Sequence, residues 1–375
     1  MKKIVGILAV AAVLATSVFA ADVSAKVKLD GKLINFDGAE EKNGFSAVMS
    51  KHNTDESWNP VINMAVSGDN YGASVGIYVG SWDATKMGDW NHGYGLGARE
   101  WNIWFKPIDV LKIQVGRINE NVNQESIDYD ARLWNYDDQW GYKLEFNFSG
   151  FELNFGFHQG QGEYWLSQGT DANGNDEIKI QGTSILAAYN ADFGRIAAFA
   201  DFKDTFRNIT AGAGYSNTFG DIRIFVDAAL LYAGVKDGEG ATGFGADFDF
   251  KWAKDAMYFE AYALWKETNF KLLGKTDDPM SLYFKAKFSY ALDPCTLFVY
   301  FKDTNFFAKN AAGKSYFPAV IKAGAEGSVG AASWKVYAQI ETGMGKEAKG
   351  KPTAVGKGDA DKVVFSIPVE FAVAF

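Results

Sequence analysis

Val363 to Phe375 reads V-V-F-S-I-P-V-E-F-A-V-A-F. The odd positions, Val363, Phe365, Ile367, Val369, Phe371, Val373 and Phe375, are all apolar. Between them stand Ser366, Pro368, Glu370, Ala372 and Ala374, which are small or polar. A period of two over so long a run specifies a β-strand with one greasy face and one small or polar face. The strand runs to the last residue, an aromatic. It could be an ordinary sandwich strand at a chain end or a strand that turns one face to lipid, and alternation in a single strand does not separate the two.

The other end of the chain bears on that choice. Lys2 and Lys3 precede an apolar run from Ile4 to Leu14, and Val18-Phe19-Ala20 precedes Ala21. This is the layout of a secretory signal over residues 1–20, cut ahead of Ala21. The rival reading, a retained anchor, needs about 20 apolar residues, and the run is shorter. A lipid-modified terminus needs a cysteine just after the signal, and the only cysteine is Cys295. That single cysteine also rules out an internal disulfide in an exported chain. After the signal no long apolar run occurs, so the mature chain is either soluble or crosses a membrane as strands. Its composition suits strands: 40 glycines, 7 prolines and frequent aromatics. Losing Lys2 and Lys3 takes the formal net charge from −9 to −11, which argues against nucleic acid as a partner. No linker or low-complexity tract divides residues 21–375, and one domain is expected.

Short alternating stretches fill that span. Val23, Ala25, Val27 and Leu29 alternate with Lys26, Lys28 and Asp30. Ile62, Met64 and Val66 lead through the turn Ser67-Gly68-Asp69-Asn70 to Tyr71, Val75, Ile77 and Val79. Trp101, Ile103 and Phe105 are followed, past Pro107-Ile108-Asp109, by Leu111, Ile113 and Val115. The cleanest hairpin puts Trp140, Tyr142, Leu144, Phe146 and Phe148 on one face and Gly141, Lys143, Glu145 and Asn147 on the other. Ser149-Gly150 joins it to Phe151, Leu153, Phe155 and Phe157. Phe244 to Trp252, Leu282 to Tyr290 and Trp334 to Ile340 repeat the rule.

Connection lengths say more than any one strand. Short turns fall near Ser67, Pro107, Ser149, Phe193, Phe219, Lys254, Asp293 and Gly330. Between them lie mostly longer polar stretches: Asp37 to Ser57, Ser81 to Leu96, Asn119 to Asp138, Gln159 to Glu177, Gly234 to Gly240, Glu267 to Asp278, Thr304 to Tyr316 and Gly343 to Asp361. One connection near Asp204 to Phe206 is short and breaks the rule. Long loops alternating with short turns are what an up-and-down transmembrane barrel gives. A sandwich carries no such requirement, and no repeat period supports a propeller. The expectation is an all-β, antiparallel up-and-down transmembrane β-barrel of about 18 strands, with 16 as the alternative. The number is even because both ends lie on the short-turn side.

The face opposite the greasy one carries Lys26, Lys28, Lys112, Lys143, Glu145, Arg223, Asp227, Asp247, Asp249, Lys251, Lys285, Lys287, Lys302, Lys335 and Glu341. So many charges cannot fill a dry core, where each unpaired one costs several kcal/mol. They need water, and a barrel of about 16–18 strands is wide enough to hold it. The terminal strand, with Phe371, Val373 and Phe375 on its greasy face, resembles the C-terminal strand of bacterial outer-membrane β-barrels, which ends in an aromatic read by the barrel-assembly machinery. As a pattern, the whole mature chain resembles Gram-negative-type porins, spirochaetal ones included. That resemblance implies outer-membrane location, lipid around the barrel and passive diffusion of ions and small hydrophilic solutes. It also admits a homotrimer. In that family the third external loop often folds into the lumen and sets the constriction. Here that stretch is Asn119 to Asp138, holding Glu120, Glu125, Asp128, Asp130, Arg132, Asp137 and Asp138. It lacks the Pro-Glu-Phe-Gly-Gly-type signature of some classical porins, so an inward fold and a solvated surface loop both stay open.

Other chemistry has little support. His52 and His92 lie in expected loops, and His158 ends a strand on the polar face, followed by Ser167. A hydrolase would need a whole constellation, and no enzyme is expected. Asp171 to Glu177 begins like a calcium loop, but Asp176 and Gly182 occupy the places of the glycine and glutamate, and no metal or cofactor is expected. Asn208-Ile209-Thr210 matches a glycosylation sequon on an expected strand. Trp82, Trp90, Trp101, Trp252 and Trp265 read as interfacial girdle rather than sugar platforms. By parity, Tyr78, Trp104, Tyr258, Tyr262, Phe298 and Tyr300 fall inside. Two functions outside the enzyme class survive: a porin-like channel, and a non-conducting surface barrel or adhesin whose long loops bind a ligand.

Overall fold

The computed structural model describes residues 21–37, 42–44, 61–81, 94–121, 133, 135–159, 166–170, 176–203, 205–234, 240–268, 280–303, 305–307, 315, 317–346, 352–353 and 362–374. Eighteen strands form one antiparallel sheet: β1 Ala21–Asp37, β2 Val61–Ser67, β3 Tyr71–Ser81, β4 Tyr94–Ile108, β5 Leu111–Asn121, β6 Asn135–Phe148, β7 Phe151–Gln159, β8 Gly182–Ala191, β9 Gly194–Lys203, β10 Asn208–Phe219, β11 Ile222–Ala233, β12 Ala241–Lys254, β13 Met257–Thr268, β14 Met280–Leu292, β15 Cys295–Asp303, β16 Ala319–Val329, β17 Ala332–Lys346 and β18 Lys362–Ala374. Each pairs with its neighbours in sequence. β18 then pairs with β1, from Lys26 opposite Ala374 to Asp37 opposite Val364, and closes the sheet. No helix occurs among the described residues. Eighteen strands about 4.8 Å apart and tilted by about 40° enclose a backbone diameter of roughly 35 Å.

The eight short turns fall where the sequence places them, and the other connections are the longer ones, with the brief exception between β9 and β10. Ser149 and Gly150 have φ of 48° and 82°, the two positive values that a type I′ hairpin turn requires. The loop between β7 and β8 carries its own small hairpin, Leu166–Thr170 with Asp176–Ile180, which the alternation analysis treats as plain loop.

Alternation sorts side chains as expected. On the β6–β7 hairpin, Tyr142, Phe146, Phe148, Phe151 and Leu153 are exposed on the outer wall, while Lys143 and Asn154 are buried inside. The outer wall has two aromatic levels. Near the short turns, Phe148 packs on Phe151 (centroids 5.8 Å apart) and Phe151 on Tyr189 (4.5 Å). Toward the long loops, Trp101 meets Trp140 (5.3 Å) and Phe244 meets Trp265 (5.5 Å). Trp140 lies eight residues along β6 from Phe148, a height of about 20 Å at this tilt. That matches an apolar band about 25 Å tall flanked by girdles. Of the expected girdle tryptophans, Trp101 and Trp265 belong to it, and Trp82 and Trp90 lie outside the described residues. A closed sheet with an apolar belt between aromatic rings satisfies every backbone group in lipid, and the chain is a transmembrane up-and-down β-barrel.

Candidate functional site

The lumen is built by the inward residues of each strand, and cross-strand register decides which charges meet. Lys112 stands opposite Glu145. Glu145 holds Lys112 at 3.0 Å and Lys143 at 2.8 Å. The ammonium groups of Lys106 and Lys112 lie 5.7 and 5.6 Å from the Trp104 ring centre, within cation–π range. Further round, Arg195 pairs with Glu152 at 3.0 Å and Lys203 with Asp201 at 3.0 Å. His158 meets Ser184 at 2.7 Å. Ser167, the serine nearest His158 in sequence, instead stands opposite Lys179 in the loop hairpin. Both His158 and Ser184 are buried in the wall, Ser184 completely.

Two neighbouring arcs of the wall differ in sign. β11 to β13 form an acidic arc. Asp227 faces Asp247 across the β11–β12 pair. Lys251 lies 3.4 Å from both Asp249 and Glu260. Tyr262 donates to Asp247 at 3.0 Å and Tyr258 donates to Glu260. Arg223 stands opposite Lys251. Asp227, Asp247, Asp249 and Glu260 are 3%, 4%, 3% and 2% exposed, so this arc is covered rather than bathed as an open channel wall would be.

β14 to β17 form an arc of lysines and rings. Lys285 faces Lys302, with their ammonium groups 5.5 Å from the Tyr300 ring and 5.4 Å from the Tyr283 ring. Lys322 lies 5.4 Å from Tyr300 and 5.3 Å from Tyr337. Lys335 lies 4.6 Å from Phe298 and 5.7 Å from Tyr337. Glu326 sits between Lys287 at 3.3 Å and Lys335 at 2.9 Å. On β17, Gln339 donates to Glu341.

Thus Lys112, Lys143, Glu145, Arg223, Asp247, Asp249, Lys285, Lys287, Lys302, Lys335 and Glu341 come together on one inner surface. For Lys26 and Lys28 the register alone is described: they stand opposite Ala374 and Ala372. Trp104, Tyr258, Tyr262, Phe298 and Tyr300 are inward as parity requires. Sequence reasoning missed Glu152, Arg195, Asp201, Lys203 and Glu260, and also Lys322 and Glu326, where the outward face of β16 sets only Ile321 and Val329 beside the small Ala323, Ala325 and Gly327 and the strand scarcely alternates in hydropathy. A strict even-position reading of Val320, Lys322, Gly324 and Glu326 would have found the latter two.

The expected constriction divides. Glu120 lies on β5, and Asp137 and Asp138 on β6, which runs further into the stretch than expected. Glu125, Asp128, Asp130 and Arg132 lie outside the described residues. Leu133 is described, and it is inside the barrel. It is 6% exposed and packs in an apolar lumen cluster with Leu186, Phe199, Phe225, Tyr262, Leu264 and Tyr283. Its backbone N–H donates to Asp247 Oδ2 at 3.3 Å. Leu133 therefore meets the acidic arc rather than the lysines. Of the assembly residues, Phe371 is exposed on the outer wall, Val373 stands opposite Val27, and Phe375 lies outside the described residues.

No protein-family model and no curated protein matches the sequence. Solved structures do resemble the fold. OccK3 (OpdO) of Pseudomonas aeruginosa superposes with a TM-score of 0.54 at 9% identity, covering 95% of this chain and 96% of that one. The outer membrane protein opdK of Pseudomonas aeruginosa gives a TM-score of 0.51 at 8% identity, covering 94% and 99%. At such identity the likeness is one of fold: the chain has the fold of the bacterial outer-membrane β-barrels of porin type.

Proposed function

We propose that the protein is a porin-like channel for passive diffusion of ions and small hydrophilic solutes across the bacterial outer membrane. On this reading residues 1–20 direct export and are removed, and residues 21–375 form one barrel domain in outer-membrane lipid. The observation that carries the reading is the inward ion pairs Lys112–Glu145–Lys143 and Lys287–Glu326–Lys335 on a ring roughly 35 Å across. A barrel that wide and that polar is filled with water, not packed solid. The acidic residues of the third external stretch, Glu120, Glu125, Asp128, Asp130, Asp137 and Asp138 with Arg132, form its constriction, supported by the burial of Leu133 within the lumen. Purified protein added to a planar lipid bilayer should give stepwise conductance. Correctly folded protein that inserts but passes no current would favour a non-conducting surface barrel whose loops bind a ligand. Cross-linking in native membranes reads whether three copies associate.

A further inference from the structure

At the short-turn end of the lumen the inward side chains of β15 to β18 form one continuous polar row. Thr296 stands opposite Glu326, Glu326 opposite Lys335, and Lys335 opposite Glu370. Neighbouring strands lie about 4.8 Å apart, so the row is roughly 14 Å long. One step nearer the turns, Ser328 stands opposite Ser333. These six residues line a groove of about 350 Å³, at the small end of the range for solute sites. The Glu326 and Lys335 side chains are 31% and 30% exposed, so the groove is open to water, unlike the acidic arc.

Its polar groups are held in place before any solute arrives. Glu326 is gripped between Lys287 at 3.3 Å and Lys335 at 2.9 Å. Tyr337 donates to Glu370 at 3.2 Å. The Phe298 ring lies 4.6 Å from the Lys335 ammonium and meets the Tyr337 ring at 6.0 Å, and both rings are buried. Gly324, between them in the register, lets the strands bring them together: a Cβ there would stand 2.5 Å from Tyr337 Cβ. Partners fixed in this way reduce the ordering cost of binding. The charges also balance. Glu326 and Glu370 are matched by Lys287 and Lys335, and on β1 Asp30 and Lys28, opposite Glu370 and Ala372, add one of each sign. A net anion or cation therefore meets a repelling neighbour within one strand of every attracting one. A neutral solute with adjacent hydroxyls meets none. It donates to the carboxylates and accepts from the Lys335 ammonium and from the hydroxyls of Thr296, Ser328 and Ser333.

We propose that this groove is a binding subsite, at the short-turn mouth of the barrel, for a neutral, ring-sized polyol, of which a monosaccharide is the simplest. That it serves a solute in transit rests on the channel reading; the binding itself does not. In folded, detergent-solubilised protein, D-glucose should bind saturably in the millimolar range in a ligand-observed NMR titration, and gluconate and glucosamine should bind more weakly. Ser333→Trp, which fills the groove, should weaken glucose binding at least about tenfold, and Thr296→Val, which removes one hydroxyl at nearly constant shape, about fivefold. Val299→Ala, on the outer wall, should bind like the parent. Absence of saturable glucose binding by the parent overturns the proposal, and so does binding of gluconate or glucosamine as tight as that of glucose. Parent-like affinity in both Ser333→Trp and Thr296→Val places the bound sugar elsewhere and overturns it too. Should Ser333→Trp fail to fold, judged by heat-modifiable mobility, Thr296→Val decides alone. Protein that binds glucose but passes no current in a planar bilayer keeps the groove and loses the channel reading; protein that conducts without binding glucose does the reverse.

Discussion

An arginine placed on the lipid face should cost stability according to its depth, and the β6–β7 hairpin supplies two depths on one surface. Phe148 and Phe151 mark the lower girdle. Phe155 lies four residues above Phe151, which at a 40° tilt is about 10 Å, half the roughly 20 Å between the girdles. Phe146 lies two residues above Phe148, about 5 Å up by the same rise. The two rings meet edge to face at 6.4 Å, so chemistry and neighbours are nearly shared and depth is the main variable. Phe155→Arg is at the midplane and should lose about 2–4 kcal/mol; Phe146→Arg, halfway to the interface, should lose about 1–2 kcal/mol. Lys143→Gln, on the lumen side between them, breaks one ion pair at 2.8 Å but leaves Glu145 its partner Lys112 at 3.0 Å. Because Glu145 keeps that partner, no buried carboxylate is left uncompensated, and the loss should stay below that of Phe155→Arg, on the order of 1 kcal/mol. Denaturant titration of the barrel in phospholipid vesicles, followed by tryptophan fluorescence, measures all three. Equal losses for the two arginine variants would refute the depth assignment. A larger loss for Lys143→Gln than for Phe155→Arg would mean that the faces are inverted, as a one-residue register slip would make them.

The other expectations are briefer. Removing Phe375, or replacing it with a charged residue, should lower the yield of folded barrel; unchanged heat-modifiable mobility and yield would count against an assembly role. Because most wall lysines lie beside a carboxylate, the parent should select weakly between ions, and a reversal potential near the ideal value for either ion in a salt gradient would contradict that. Neutralising Glu125, Asp128 and Asp130 together should shift selectivity toward anions, most clearly at low salt where screening is least. No shift would put the acidic part of the loop outside the current path.

The strands, the turns and the inward set of charges were legible because each follows from local rules: a period of two, turn residues, and the cost of placing charge in lipid. The lumen's internal arrangement was not, because it rests on contacts between distant residues. His158 pairs with Ser184 and not Ser167 since β7 pairs with β8 across a loop that folds on itself. Leu133, set among acidic and aromatic loop residues, has nothing local to announce that it lands on β12. One non-local feature could nevertheless have been read. In an up-and-down barrel, order along the chain becomes angle around the wall. The buried carboxylates from Asp227 to Glu260 and the lysines from Lys285 to Lys335 occupy separate spans of sequence, so they had to become separate arcs. Pooling all inward charges hides this, while keeping them in chain order reveals it. Leu133, from the stretch between β5 and β6, then meets the acidic arc at Asp247, and the lysine and aromatic arc lies beyond it around the wall.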